Sequence, residues 1–172
     1  MIELIKYPLK DKFDNLVVDS KSQINLCAPI NLCAPYVKKS VIKNIYDNKR
    51  PGVQLKMISN FSMSNFYQRS SDIEAFQDII ENKDRIYNCQ TLHAKFYIFD
   101  DRYAIITSSN LTYSGLEKNI EYGVFIRDKK LINQSIRDYY EICKNSNTGY
   151  IYNFNSLIKH SFNVSCQAYS KD

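Results

Sequence analysis

The chain has 172 residues, a formal net charge of +5 and an isoelectric point near 8.8. This length suits one well-buried domain, 1–172, and is too short for two of ordinary size. Hydrophobic content of 44% and charged content of 24% exclude a disordered chain, and the basic charge favours a polyanionic partner, either nucleic acid or an anionic membrane.

Several classes of protein are excluded by what the sequence lacks. No stretch approaches 18 apolar residues, and the first residues lack a basic segment followed by an apolar one, so we expect a cytoplasmic protein without a membrane span. The cysteines are odd in number, scattered and free of any CxxC pair, which indicates reduced thiols. Because only His93 and His160 could join them, we expect no zinc, other metal or cofactor. The cysteines are Cys27, Cys33, Cys89, Cys143 and Cys166.

The first part of the chain ends in a repeated hexapeptide. Residues 1–23 are polar with short apolar clusters and predict a weak helix or a loose arm. The sequence Ile-Asn-Leu-Cys-Ala-Pro then occurs at 24–29 and again at 30–35, with an alternation that suits a strand ending at its proline. Local propensity cannot choose between identical copies, so we expect one to be the core strand and the other a bulged-out loop.

Helical and strand patterns alternate through the rest of the chain. Outside the region from Leu92 to Glu121, they predict helices at 36–48, 72–82 and 129–144, strands at 53–58, 85–89 and 121–126, and a connection at 60–70. Ser71 is a candidate cap for the second helix. In the tail, 147–172, alternating aromatic residues from Tyr150 to Phe154 predict a strand, and Ser156 a cap for a short helix through His160, which we expect at the surface.

The region from Leu92 to Glu121 concentrates the chemically active side chains. His93 and Lys95 are two residues apart, so on a strand an imidazole and an ammonium would share one face and approach one phosphate together. Apolar runs at 96–99 and 103–106 predict two strands joined by a tight turn. The second strand delivers hydroxyls, an amide and backbone N–H groups as candidate phosphate donors. These donors belong to Thr107, Ser108, Ser109 and Asn110.

The order of these residues resembles the HKD motif of the phospholipase D superfamily, H-x-K-x4-D followed by a G-[ST]-x-N turn. Thr107 stands where that pattern usually has glycine. The resemblance implies an α/β fold, a layered mixed β-sheet flanked by helices, over roughly residues 20–145.

The resemblance also implies a role for each residue of the motif. His93 would be the nucleophile and Lys95 the charge donor. Asn110 and Ser108 would join them as catalytic phosphate donors, with Ser109 and Thr107 binding substrate. Asp100 has a structural role within its own turn. Glu121 would hold one ring nitrogen of His93 and fix its tautomer.

The function that follows from the resemblance is phosphodiester cleavage. Superfamily members include lipid hydrolases, phospholipid synthases and nucleases, and the motif does not distinguish them. Short single-motif members resemble bacterial nucleases and the catalytic domains of restriction endonucleases, so we expect a metal-independent nuclease, acting on DNA rather than RNA and not on a membrane. A symmetric homodimer would supply the second histidine. The alternatives are a non-catalytic nucleic-acid-binding module of the same fold and a lipid phosphodiesterase.

Overall fold

The computed structural model describes residues 1–21, 29–145 and 148–168, which form eight strands and six α-helices. The strands are β1 (Ile2–Lys6), β2 (Ile30–Cys33), β3 (Leu55–Ser59), β4 (Arg85–Cys89), β5 (Phe96–Phe99), β6 (Tyr103–Thr107), β7 (Tyr122–Ile126) and β8 (Thr148–Ile151). The helices are α1 (Lys10–Asp19), α2 (Lys39–Asn48), α3 (Met63–Tyr67), α4 (Ile73–Glu81), α5 (Lys129–Lys144) and α6 (Phe154–Ala168), with a π-helical turn at Ser114–Lys118.

All eight strands belong to one mixed sheet, in the order β1-β7-β6-β5-β2-β3-β4-β8. Strands β2, β3 and β4 are parallel, and the others pair antiparallel with their neighbours. Parallel neighbours need a crossover, which α2 supplies between β2 and β3, and α3 with α4 between β3 and β4. Every residue of β2 is buried, as expected for a central strand covered on both faces.

The sheet separates two hydrophobic cores. Along β5, Tyr97 and Phe99 belong to the larger core, which α1, α2 and α4 cover. The alternate residue, Ile98, belongs to the smaller core, with Ile132 and Tyr139 of α5. This arrangement confirms the predicted layered α/β fold. No helix in the described segments is long and apolar enough to cross a membrane.

The N-terminal segment differs from the prediction of a weak helix or loose arm. It forms β1, which pairs antiparallel with β7 through Ile5 and Gly123, and then α1. Only Ile5 of β1 is buried, because the strand lies at the edge of the sheet. An edge strand with one buried residue lacks the regular alternation that marks a strand in a sequence.

The tail also differs from its prediction. Helix α6 continues to Ala168 and does not end near His160. Its cap is reciprocal: the side-chain oxygen of Asn153 accepts from the N–H of Ser156 (2.8 Å), and the Ser156 hydroxyl accepts from the N–H of Asn153 (3.2 Å). His160 is half-buried over β8, where a Cβ on Gly149 would lie 2.2 Å from its ring, so it is not a surface residue.

Two details between β3 and β4 correct the sequence analysis. The connection predicted at 60–70 contains α3, whose N-cap Ser62 accepts a hydrogen bond from the N–H of Asn65 (3.2 Å). Ser71 does not cap α4, whose N-cap is Asp72. The Ser71 hydroxyl instead accepts from the N–H of Val37 (3.2 Å), which ties the start of α4 to the segment before α2.

The second copy of the hexapeptide forms the core strand, since β2 begins at Ile30. Most of the first copy, 24–28, lies outside the described residues. The flanks of this connection are close together. The N–H of Lys21 donates to the Asp100 carboxylate (2.8 Å), while Ile30 pairs with Phe99, the residue before Asp100.

Deleting residues 24–29 is therefore expected to leave a folded protein. Strand β2 keeps its neighbours, and the connection spans a short distance. The free energy of loop closure therefore changes by less than about 1 kcal/mol. The midpoint of thermal unfolding, followed by circular dichroism, should stay within about 4 °C of wild type. Replacing 24–29 with six Gly and Ser residues is the control for length. An unfolded deletion variant beside a folded replacement variant would show that the connection needs its full length.

Candidate active site

The residues that the sequence singled out, apart from Asp100, converge at one end of the neighbouring strands β2, β5, β6 and β7. Strand pairing places the end of β2, the start of β5, the end of β6 and the start of β7 side by side. His93 and Lys95 precede β5, Ser108 follows β6, and Glu121 precedes β7. Three separate segments of the chain therefore contribute these side chains to a common site.

His93 and Lys95 were predicted to lie on a strand, but they lie on the irregular segment before β5. Leu92 is buried and anchors this segment, while His93 is exposed. The Thr107 N–H donates to the Lys95 carbonyl (3.1 Å), which holds the segment against the end of β6. The Lys95 ammonium donates to the His93 carbonyl (2.8 Å) and lies 3.4 Å from the His93 Nε2, so both groups reach one location.

The charge on Lys95 depends on two opposing influences. Burial lowers the pKa of Lys95 below the ordinary lysine value, while the negative charge of Glu121 acts to raise it. Cys33 lies behind the segment, with its sulfur 4.0 Å from the Ala94 carbonyl. Burial raises the pKa of the Cys33 thiol far above its usual range, so this sulfur stays protonated and neutral.

Thr107 is accommodated at the glycine position of the motif by two hydrogen bonds of its side chain. Its hydroxyl accepts from the N–H of Ser109 (3.1 Å) and donates to the Tyr122 carbonyl (3.2 Å). Thr107 also pairs with Gly123, where a Cβ would lie 2.9 Å from the Thr107 Cβ. The absence of a side chain at Gly123 thus makes room for the branched residue.

The predicted bond between Glu121 and His93 is not present. The Ser108 hydroxyl donates to the Glu121 carboxylate through a short hydrogen bond, and the Asn119 amide donates to its other oxygen (3.3 Å). Among the described residues, the only hydrogen-bonding group near the His93 ring is the Lys95 ammonium. Ser108 and Glu121 therefore form a hydrogen-bonded pair at the turn, and donation from Ser108 to phosphate stays a prediction.

Ser109 and Asn110 have different environments. Ser109 is fully buried and its hydroxyl donates to the Asn110 carbonyl (3.2 Å), so its side chain lies inside the turn, and its contact with substrate stays a prediction. The Tyr97 hydroxyl donates to the Ser109 carbonyl (2.6 Å) and fixes the turn from below. The Asn110 side-chain oxygen accepts from the Tyr36 N–H (3.3 Å), which leaves its amide group available as a donor.

Asp100 lies at the opposite end of β5 from His93. Its buried carboxylate accepts from the Lys21 N–H (2.8 Å) and from the Arg102 guanidinium (3.1 Å). Burial raises the pKa of Asp100, and these two hydrogen bonds act to lower it. The residue organises the turn between β5 and β6, where its φ of 54° is in the left-handed region.

An open pocket of about 520 Å³ adjoins the site. Helix α5 contributes Ser135 and Asp138 to it, and the sheet contributes Phe96 and Ile106. Sequence analysis missed these four residues. Helix periodicity gives the faces of α5, but only its placement across the sheet decides which polar residues reach the pocket. The remaining lining residues are His93, Ala94, Lys95, Thr107 and Ser108.

Comparisons with known proteins agree with this fold. A family model described as "Cardiolipin synthase, PLD-like domain" matches residues 16–142. The chain therefore belongs to the phospholipase D-like family, and its fold is of the phosphodiesterase type. A search of curated proteins finds no significant match.

Three solved structures share the fold. Nuc from Salmonella typhimurium, a phospholipase D family member, is 17% identical with a TM-score of 0.71, covering 89% of this chain and 99% of that one. NucT from Helicobacter pylori is 13% identical with a TM-score of 0.65, covering 84% and 96%. TrmBL2, an archaeal chromatin protein that binds DNA, is 14% identical with a TM-score of 0.58, covering 83% and 52%.

Replacing Glu121 with glutamine should lower the pKa of Lys95 further. The substitution removes the negative charge that raises this pKa and leaves the opposing effect of burial in place. NMR titration of the lysine side-chain carbons measures the change directly. Glu117→Gln is the matched control, since Glu117 lies in the π-helical turn and does not influence Lys95. An equal or higher pKa in Glu121→Gln would show that Lys95 does not sense this carboxylate.

Proposed function

We propose that this chain is a metal-independent phosphodiesterase that cleaves nucleic acid, DNA in preference to RNA. The observation that carries the proposal is the position of the Lys95 ammonium, 3.4 Å from the His93 Nε2 at a pocket open to solvent. An imidazole nucleophile beside a fixed cation provides what attack on a phosphodiester anion requires. The net charge of +5 further favours a polyanionic substrate.

The reaction proceeds in two displacements. The imidazole of His93 attacks phosphorus, the bond to the leaving oxygen breaks, and a general acid protonates that oxygen. The general acid, now deprotonated, acts as a base and removes a proton from water. This water attacks the phosphohistidine and releases His93. Lys95 and the Asn110 amide stabilise the charge on the phosphoryl oxygens, so no metal ion is needed for that purpose.

The general acid comes from a second copy of the chain. The sequence contains two histidines, and His160 lies over β8, four strands away from β5. At roughly 4.8 Å per strand this separation is about 19 Å, too far for both to contact one phosphate. A symmetric homodimer brings two His93 residues together. Exposed apolar side chains beside Glu121 support such an interface: Tyr122 is 58% and Ile120 86% exposed.

Two alternatives predict different results. The similarity to TrmBL2, described as DNA-binding, favours a module that binds DNA without cleaving it. The family's link to cardiolipin synthase favours a lipid phosphodiesterase. Incubation with labelled DNA in excess EDTA separates these functions. Cleavage supports the nuclease, binding without cleavage supports the module, and release of choline or ethanolamine from vesicles without DNA cleavage supports the lipid enzyme.

The substitutions Lys95→Ala and Asn110→Ala should each reduce kcat/KM for DNA cleavage in EDTA by about 10²–10³, because each removes roughly 3–4 kcal/mol of transition-state stabilisation. Neither residue is fully buried, so thermal unfolding should change little. Lys43→Ala is the control, since Lys43 is 66% exposed on α2 and also carries one positive charge. Full activity in folded Lys95→Ala would place the reaction elsewhere.

Mixing His93→Ala with wild-type protein tests the shared site. If each reaction needs two histidines, one from each subunit, a mixed dimer is inactive. With random pairing of an equal mixture, about a quarter of the dimers remain wild type, so activity falls to roughly a quarter. Independent monomeric sites would retain about half. A linear dependence on the wild-type fraction, with subunit exchange verified by mass spectrometry, would contradict the composite site.

A further inference from the structure

The pocket beside His93 extends beyond the position of a phosphate. Its volume of about 520 Å³ includes a part formed by Ser135 and Asp138 of α5, with Phe96 and Ile106 as apolar walls. Binding sites for small organic groups have this composition, apolar walls with a few polar groups that fix orientation. The proposed reaction uses none of these four residues.

The two side chains of α5 that line the pocket disfavour a second phosphate there. Asp138 presents a carboxylate, which repels an anion. Its Oδ1 accepts from the Gln134 amide (2.6 Å), and the described residues provide no donor for Oδ2. The Ser135 hydroxyl gives its proton to the Leu131 carbonyl (3.0 Å). Both side chains therefore offer hydrogen-bond acceptors to the pocket, and the matching ligand is a neutral or cationic group that donates.

The walls favour a flat group. The Phe96 ring is held edge-on to Tyr139, with 6.1 Å between ring centroids and planes at 86°. Ile106 is 43% exposed although it belongs to a strand inside the sheet, so it offers apolar surface to a ligand. A base packed against these side chains would lie beside a phosphate held by Lys95.

From these observations we propose that the α5 side of the pocket binds a nucleobase carrying an exocyclic amine, attached to the scissile phosphate. The inference rests on the proposed phosphodiesterase function and specifies its substrate. Cytosine, adenine and guanine carry such an amine, which donates to Asp138, whereas thymine does not. A quaternary ammonium headgroup also suits a carboxylate, but sites for that group use several Phe, Tyr or Trp rings, and Phe96 is the only such side chain among the described lining residues.

Nucleotide binding, measured by calorimetry, tests the pocket without requiring catalysis. Wild-type protein should bind dCMP about tenfold more tightly than TMP, in the range of discrimination that one base contact provides. The substitution Asp138→Asn should abolish this preference. Glu141→Gln, which removes one negative charge elsewhere on the exposed surface of α5, should retain it. Equal binding of the two nucleotides, no binding of either, or a preference that survives in Asp138→Asn would each overturn the inference.

Phosphocholine and chromogenic esters complete the test. Tighter binding of phosphocholine than of dCMP, lost in Asp138→Asn, would assign the pocket to a lipid headgroup and overturn the nucleobase.

Hydrolysis of bis(p-nitrophenyl) phosphate by wild type reports the proposed function alone, since this ester has no base. If it is cleaved while the p-nitrophenyl esters of dCMP and TMP react equally, only the nucleobase pocket fails. If none of the esters is cleaved, the proposed function fails, and the calorimetry still decides whether the pocket binds a base.

Discussion

The geometry of the site depends above all on one backbone hydrogen bond, from the N–H of Thr107 to the carbonyl of Lys95 (3.1 Å). It extends the pairing of β5 and β6 beyond Phe96 and Ile106 into a segment that is otherwise irregular. A second bond, from the Leu92 N–H to the Cys89 carbonyl (3.1 Å), holds the other end. His93 is therefore exposed to solvent and yet lies between two fixed backbone positions, an arrangement that suits the nucleophilic role proposed for it.

The same bond places Lys95 beside the turn that follows β6, where its charge interacts with Glu121. Burial lowers the pKa of Lys95, and the Glu121 carboxylate acts to raise it. A bound phosphodiester anion would add a second negative charge and raise the pKa of Lys95 further. Binding of such an anion and protonation of Lys95 would therefore favour each other. Because Glu121 already accepts from Ser108, its contribution combines a charge effect on Lys95 with a structural effect on the turn.

Sequence patterns predicted the interior of the fold better than its margins. The helix at 129–144 matches α5, and the predicted strand at 53–58 overlaps β3, because buried apolar residues there recur with clear periods. The edge strand β1 escaped prediction because burial of Ile5 alone leaves no alternation. Likewise, spacing identified His93, Lys95 and Asn110, but the partner of Glu121 and the inward position of Ser109 depend on how separate segments meet.

The closeness of Lys21 and Ile30 has a practical consequence for labelling the protein. Both residues lie near the turn between β5 and β6, whereas His93 and the pocket lie at the other end of β5. A peptide epitope or a fluorophore inserted between Lys21 and Ile30 would thus be joined to the protein at the end of β5 remote from His93. Such a reporter would leave His93, Lys95 and the pocket accessible.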